Sequence, residues 1–319
     1  MITVQKFGGS SLADIEKLRK AADVCIKARQ SGQKPVLVVS AMGDATDRLS
    51  ELAHKINPRP PARESDALLT SGEQQSAALM AILLDSLDIP AMSFTGWQSG
   101  IFTSSAHGDA DPEATFPSRI ADALERGIVP VVTGYQGIDD DGDITALGRG
   151  GSDTTAVLLA AVLNADRCEI YTDVDGIYTA DPRLVKNAKK LAAVDYRDML
   201  ALAVSGSQVL HDKSVRLAMA NGVKIILLSP ERKNGGSIVT ALTDEERPLF
   251  VGVTRNAETN ELTVVGKGCT AELLPPLALE LADLGIRVSG GGTRENRVYV
   301  RTDASQLLLG LEALHDLYF

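Results

Sequence analysis

Lys6, Glu73, Arg149 and Asp153 are the side chains whose types and settings could do chemistry. Lys6 stands near the end of TVQKF and is followed by Gly8-Gly9 and two serines. Glycine lets the backbone come close to a ligand, so a cation beside it suits a phosphate or a carboxylate. The plain alternative is a lysine at a strand end before an ordinary turn, where it would contribute little packing. The stretch GRGGSDTTAVLLAAVLNA (Gly148 to Ala165) sets three glycines, Arg149 and Asp153 in six residues, ahead of an apolar run. A helix N-terminus there would offer free N–H groups and the positive end of the dipole. Arg149 would add a fixed fork of donors. The same residues also fit a tight turn in which Ser152 or Asp153 caps the helix.

TSGEQ puts Glu73 in the first turn of a helix, where a carboxylate favours the dipole with or without a ligand. YTDVDGIYTADPR gathers Asp173, Asp175, Asp181 and Arg183 around a turn. That spacing is too short for a calcium loop, and a solvated hairpin would use the same residues. GxxxxGK[ST] and GxGxxG are both absent, which removes the main support for a P-loop NTPase or a nicotinamide dehydrogenase. His54, His107, His211 and His315 form no HxxxH pair, and no metal ligand is assigned.

These residues need elements to position them, and the pattern alternates. TVQKF, PVLVVSA, GIVPVVTGYQG, RCEIYTDVDGIY and NGVKIILLS read as strands, several of them near-continuously apolar, as in a buried parallel sheet. Ile15, Leu18, Ala22 and Cys25 follow at helical spacing after Ser11 and Asp14, which resemble a capping box. Ser71 with Gln74 is a second such match and opens GEQQSAALMAILLDSL as a helix. INPRPPARESD reads as a Pro-rich loop, and a helix is expected from Asp153. Strands alternating with helices imply βαβ units and a largely parallel sheet with helices on both faces. Ligands bind such sheets at the carboxyl ends of the strands.

The chain of 319 residues is long enough for about two domains. A boundary is expected near Lys233 to Phe250, where polar residues and glycines cluster. Beyond it, ELTVVGKG, ELLPPLALELADLG, RVSGGGTRENRVYVRTD and ASQLLLGLEALHDL read as strand, helix, hairpin and helix. That is a ferredoxin-like module short of one strand, which FVGVTRN could supply. The net charge of −10 argues against a nucleic-acid binder. Three scattered cysteines suggest no disulfide framework and a reducing cytoplasm. The opening residues lack the basic and apolar regions of a leader, and no apolar run approaches the roughly 20 residues of a membrane span. A soluble cytoplasmic protein is expected.

VQKFGGSSL, SAMGDATD, LLTSGEQ, SFTGWQSGI, GRGGSDTTAV, EIYTDVDGIYTADPR and SVRLA stand in this order between about Met1 and Val239. Together they resemble the aspartate kinase family of amino-acid kinases. The resemblance implies a three-layer αβα fold with a mainly parallel sheet over residues 1–240. A single or truncated ACT-like α+β module would follow over 241–319. It also implies transfer of the γ-phosphoryl of ATP, bound with Mg²⁺, to the side-chain carboxylate of L-aspartate, in the route to lysine, threonine and methionine. By this resemblance Lys6, Arg149 and Asp153 serve catalysis. Thr46, Glu73, Arg149, Gly150 and Ser152 hold aspartate, with Glu73 suited to the α-ammonium. Lys6, Phe7, Gly8, Gly9, Ser10, Thr172, Asp173, Tyr178, Asp181, Arg183 and Gln208 meet the nucleotide. A carboxylate nucleophile needs no general base, so catalysis would rest on positioning and charge neutralisation. A homodimer or higher homo-oligomer is expected.

Three departures stand against this pattern. Gln208 replaces a lysine that the family attributes to the nucleotide phosphates. HGDADPEATF (His107 to Phe116) replaces the usual HxxARI run. About 70 residues remain from Phe250, room for one ACT module rather than two, and GGGTRENRVYV replaces STSEIxIS. Gln208 favours, as an alternative, a kinase-like paralogue with weak or altered activity or one serving a specialised pathway. A non-enzymatic amino-acid sensor built on the C-terminal module is the third reading, opposed by the intact Lys6, Arg149 and Asp153. Kinases of N-acetylated glutamate or of UMP fit less well, because Thr46 and Glu73 match the aspartate pattern.

Overall fold

A computed structural model describes residues 1–230 and 235–319. Lys233 and Asn234, at the start of the expected boundary, lie outside the described residues. The chain groups into two compact units, Met1–Asp175 with Ala220–Gly235, and Gly176–Met219 with Gly236–Phe319. These bounds differ from a single division at residue 240.

The first unit opens with β1 (Ile2–Phe7), α1 (Ile15–Gln30), β2 (Lys34–Val39), α2 (Ala45–Ile56), α3 (Ala62–Leu69) and α4 (Ser71–Asp85). It continues through β3 (Ala91–Phe94), β4 (Ile101–Thr103), β5 (Pro112–Thr115), α5 (Ser118–Glu125), β6 (Val129–Thr133), β7 (Gln136–Ile138) and β8 (Ile144–Ala146). Then come α6 (Gly151–Val162) and β9 (Arg167–Tyr171). The chain runs on through β10 (Ile177–Tyr178), β11 (Lys190–Leu191), β12 (Ala193–Asp195), α7 (Tyr196–Ala203) and α8 (Asp212–Asn221) before β13 (Ile225–Leu228). In the first unit the sheet order is β13-β9-β1-β2-β6-β3, every pair parallel.

Alternation along β1 decides what each face buries. Phe7, Leu37, Val39, Val131 and Tyr171 pack under α1 and α4 with Leu18, Cys25, Met80 and Leu84. Lys6 points to the opposite face, which α6 covers along β1, β2 and β9. Residues 151–160 of α6 are buried throughout, and from Ala156 on the helix is apolar on every side. A helix apolar all round belongs in an interior. The result is the three-layer arrangement with a parallel sheet.

Four local expectations change. Helix α3 covers Ala62–Leu69, so the end of the stretch read as loop, Ala62 to Asp66, is helical, with Pro61 at the N-cap position, where a missing N–H costs nothing. Asp14, not Ser11, caps α1 by accepting from the Lys17 N–H at 2.8 Å. Ser71 caps nothing, because Thr70 before it is already helical and the Ser71 hydroxyl donates to the Leu68 carbonyl. Helix α6 begins at Gly151, two residues before Asp153. A second small sheet, β5-β4-β7-β8, was not expected from the sequence.

In the second unit, β12 pairs in parallel with β14 (Ser237–Thr240). The later elements are β15 (Gly252–Asn256), β16 (Glu261–Val265), α9 (Leu274–Asp283), β17 (Gly290–Arg294), β18 (Arg297–Arg301) and α10 (Leu307–Tyr318). Their antiparallel sheet has the order β15-β16-β18-β17. FVGVTRN thus supplies the strand missing from the ferredoxin-like pattern, at the start rather than the end. Val253, Leu262, Val264, Val298 and Val300 meet Leu277, Leu281, Leu311 and Leu314 of α9 and α10. Gly310 brings α10 onto the sheet, since a Cβ there would lie 2.2 Å from Leu262 Cδ1.

Candidate active site

In the first unit the carboxyl ends of the strands lie in one row, with Phe7 opposite both Val39 and Tyr171, and Leu228 opposite Tyr171. The Gly8 N–H continues to the Tyr171 carbonyl, and the Thr172 N–H to that of Leu228. The loops that follow these ends therefore share one edge.

Lys6 Nζ lies 2.6 Å from Asp153 Oδ1, with about a tenth of each side chain exposed. The contact is an ion pair. Asp153 is consequently no helix cap. The N-cap is Gly150, left-handed at φ 72°, and no side chain caps α6. The first-turn N–H groups lack intrahelical partners. Gly148 is also left-handed, and a Cβ there would strike Asp109 Oδ1. Between these glycines Arg149 is exposed and has no hydrogen-bond or ion-pair partner among the described residues. Ser152 is buried against Gly134 at the end of β6.

Three segments meet at Ala41. A Cβ on Gly9 would lie 2.7 Å from the Ala41 carbonyl oxygen, and one on Gly72 would lie 2.9 Å from Ala41 Cβ. That close approach delivers Glu73, whose Oε1 accepts from the Ala41 N–H at 3.0 Å. Glu73 is 4% exposed, and its Oε2 is buried with no hydrogen-bond partner among the described residues. Burial pushes its pKa up to about 7, against the lowering effect of backbone hydrogen bonds. Thr46 sits half-buried in the first turn of α2, five residues on from Ala41.

Ser10, Ser11, Lys17, Lys20, Thr172, Asp173, Ser229 and Pro230 line a cleft of about 110 Å³ on the same edge. The sequence pointed to Ser10, Thr172 and Asp173 but not to Lys17 and Lys20. Their signal was present: two lysines at i, i+3 near the start of the helix that follows the glycine turn.

The remaining nucleotide candidates lie in the second unit. Tyr178 pairs across the ladder with Lys190. Asp181 is forked by Arg183, with Nη2 to Oδ2 at 2.8 Å and Nε to Oδ1 at 3.0 Å. The Arg183 fork is the main cause holding the Asp181 carboxyl below its ordinary range. Gln208 is exposed in the stretch after α7.

Two further residues escaped the sequence. Tyr135 takes a left-handed backbone at φ 71°, uncommon for a bulky side chain, and its ring lies where a Gly151 side chain would go. Burial, reinforced by Asp66, Glu73 and Asp109, raises its phenol to about 12. Asp66, inside the stretch read as loop, is buried and accepts hydrogen bonds from the Gly108 and Ala146 N–H groups.

The model of the amino acid kinase family matches residues 1–229. The aspartokinase of Mycolicibacterium smegmatis is 46% identical over 269 residues, covering 83% of this chain and 64% of that protein. The aspartokinase of Thermus thermophilus is 42% identical over 287 residues, covering 90% and 71%. Escherichia coli aspartokinase III, solved with aspartate and ADP, superimposes with a TM-score of 0.74 at 26% identity over 98% of this chain and 84% of that one. This chain thus spans a little under two thirds of the length of the M. smegmatis relative. By sequence and fold, the chain belongs to the amino acid kinase family, among the aspartokinases.

Proposed function

We propose that this chain transfers the γ-phosphoryl group of MgATP to the side-chain carboxylate of L-aspartate, giving 4-phospho-L-aspartate. The observation that carries this reading is Glu73, whose buried Oε2 has no hydrogen-bond partner among the described residues. A free α-ammonium supplies the missing donor and the countercharge, and a substrate with an acylated nitrogen does not. Arg149, without a partner on its glycine turn, suits the α-carboxylate. Lys6, held by Asp153, suits the transferring phosphoryl oxygens. Lys17, Lys20, Thr172 and Asp173 suit the nucleotide. The E. coli relative solved with aspartate and ADP supports this pairing of ligands.

The nucleophile is an ionised carboxylate, so the chemistry asks for alignment and charge neutralisation rather than a base. Among the described residues no group of three His, Cys, Asp or Glu side chains could hold a metal alone. In this reading magnesium comes bound with the nucleotide, as part of the MgATP substrate. No helix among the described residues is long and apolar enough to cross a membrane. With three free buried cysteines, a cytoplasmic setting and a homo-oligomer complete the proposal.

The deciding experiment is a coupled assay with MgATP and L-aspartate, trapping the acyl phosphate as a hydroxamate. Hydroxamate formation with L-aspartate, and none with N-acetyl-aspartate or N-acetyl-glutamate, is the expected result. Nucleotide binding without turnover would instead favour the kinase-like paralogue to which the neutral Gln208 points.

A further inference from the structure

We infer that Asp66 is a positioning residue that fixes the spacing between the two substrate-holding groups, Glu73 and Arg149; this rests on the aspartate reading. One oxygen, Asp66 Oδ2, collects three donors: the Ala146 N–H at 3.0 Å, the Gly108 N–H at 3.0 Å, and His107 Nδ1 at 2.8 Å. The Asp66 side chain is 2% exposed and that of His107 18%, so the cluster is shielded from competing water.

Each donor belongs to a segment that matters. Ala146 ends β8, three residues before Arg149. Gly108 and His107 open the loop whose Asp109 lies against Gly148, and the Ala110 N–H donates back to the Ala146 carbonyl at 2.9 Å. Asp66 itself lies on α3. Its carbonyl accepts from the Thr70 hydroxyl at 2.7 Å, and the Gln136 amide holds the Thr70 carbonyl at 2.9 Å. Thr70 leads directly into α4 and Glu73. The Arg149 turn and the Glu73 helix are therefore tied to one buried carboxylate that touches neither ligand group. A fork from Arg63 to Asp143 adds a surface tie between α3 and the residue before β8. His107, in the departing HGDADPEATF segment, reaches Asp66 by its side chain, which gives that segment a part in the site.

The test compares Asp66→Ala, His107→Ala and His107→Gln with the parent enzyme. A displacement of about 1 Å can cost up to a hundredfold. Asp66→Ala should raise the aspartate KM at least tenfold while the ATP KM stays within about twofold. His107→Ala should do so more weakly, and His107→Gln, which keeps a donor for Asp66, should restore the parent value. A second readout does not depend on substrate: hydrogen–deuterium exchange in residues 144–151 and 70–75. Asp66→Ala should speed exchange in both segments and leave β1, β2 and α6 protected. If Asp66→Ala does not fold, His107→Ala and its rescue decide. Equal rises in both KM values, or unchanged exchange in 144–151, overturns the inference. A parent enzyme inert towards aspartate overturns the substrate reading, and the exchange experiment then judges the positioning role by itself.

Discussion

Lys6 reaches Asp153 across the interface between β1 and α6, nitrogen to oxygen 2.6 Å apart, with the pair almost shut off from solvent. One group sits at a strand end and the other in the first turn of a helix 147 residues on. The pair holds the ammonium fixed beside Gly8, whose Cβ, if it had one, would lie 3.5 Å from Nζ.

Loss of Lys6 should therefore remove a pre-placed cation. We expect Lys6→Ala to lower turnover by roughly 10²–10³, the scale for losing one transition-state donor. The burial also revises the expectation that this lysine contributes little to stability. Lys6→Ala leaves the Asp153 carboxylate nearly buried and unpaired, which costs on the order of 3 kcal/mol. Lys6→Met with Asp153→Asn should recover most of the melting temperature and none of the activity. Recovered turnover in the double variant would show that Lys6 is only structural.

Glu73→Gln should raise the aspartate KM far more than the ATP KM. A hydrogen bond to a charged group is worth about 1.5–3 kcal/mol, roughly 10- to 100-fold. The carboxyl has a pKa of about 7 in the folded chain against an ordinary 4.5. As pH falls through 7 it gains a proton and loses its hold on an ammonium, so the aspartate KM should climb on the acid side. For stability the sign is opposite. The folded state binds the proton more tightly, so this group's contribution is complete below about 4.5 and is lost as pH rises through about 7. Without ligand at pH 8, Glu73→Gln should melt higher than the parent. A lower melting point there would contradict this account of Glu73.

Gln208→Lys should lower the ATP KM by about two- to fivefold, the worth of an exposed ion pair. Position 208 is exposed, so the added charge has no burial cost and folding should be unaffected. An unchanged ATP KM at low ionic strength would mean that this position does not face the nucleotide.

Much of the candidate site was legible because it follows strand ends. Gly8-Gly9, Thr172 and Asp173 sit where a parallel sheet puts its ligand loops, and periodicity located those strands. What the sequence hid depends on close approach between distant segments. Nothing in TSGEQ says that Gly72 must touch Ala41, or that this contact leaves one Glu73 oxygen unpartnered. Asp66 was read as loop because Pro58, Pro60 and Pro61 precede it. Proline is tolerated at a helix start, so that run marked the beginning of α3 rather than its absence. Ser71 matched a capping box by type, but Thr70 was already helical and left the hydroxyl nothing to cap. The early strand of the C-terminal sheet was visible as FVGVTRN, but its place at the sheet edge is set by pairing with β16.

The C-terminal sheet leads to the last prediction. Strand β17 is one of its two edge strands, and three of its five residues are glycines, Gly290 to Gly292. An open edge is a template for pairing. Beside it α9 leaves Leu279 65% exposed, and Leu284 just beyond is 56% exposed. Leu279, Ala278, Pro275 and Ile286 line one groove. An uncovered apolar surface next to an open strand edge favours a second copy of the chain, and we expect a homodimer through this module. The glycines also deprive β17 of the side chains that a selective polar pocket needs. An effector must bind two conformations unequally to inhibit, so feedback by lysine or threonine should be weak. Light scattering should give twice the chain mass for the parent and the monomer mass for Leu279→Asp. Activity should change less than about twofold over millimolar lysine and threonine, alone or together. A monomeric parent would remove the pairing role, and strong inhibition by either amino acid would remove the regulatory argument.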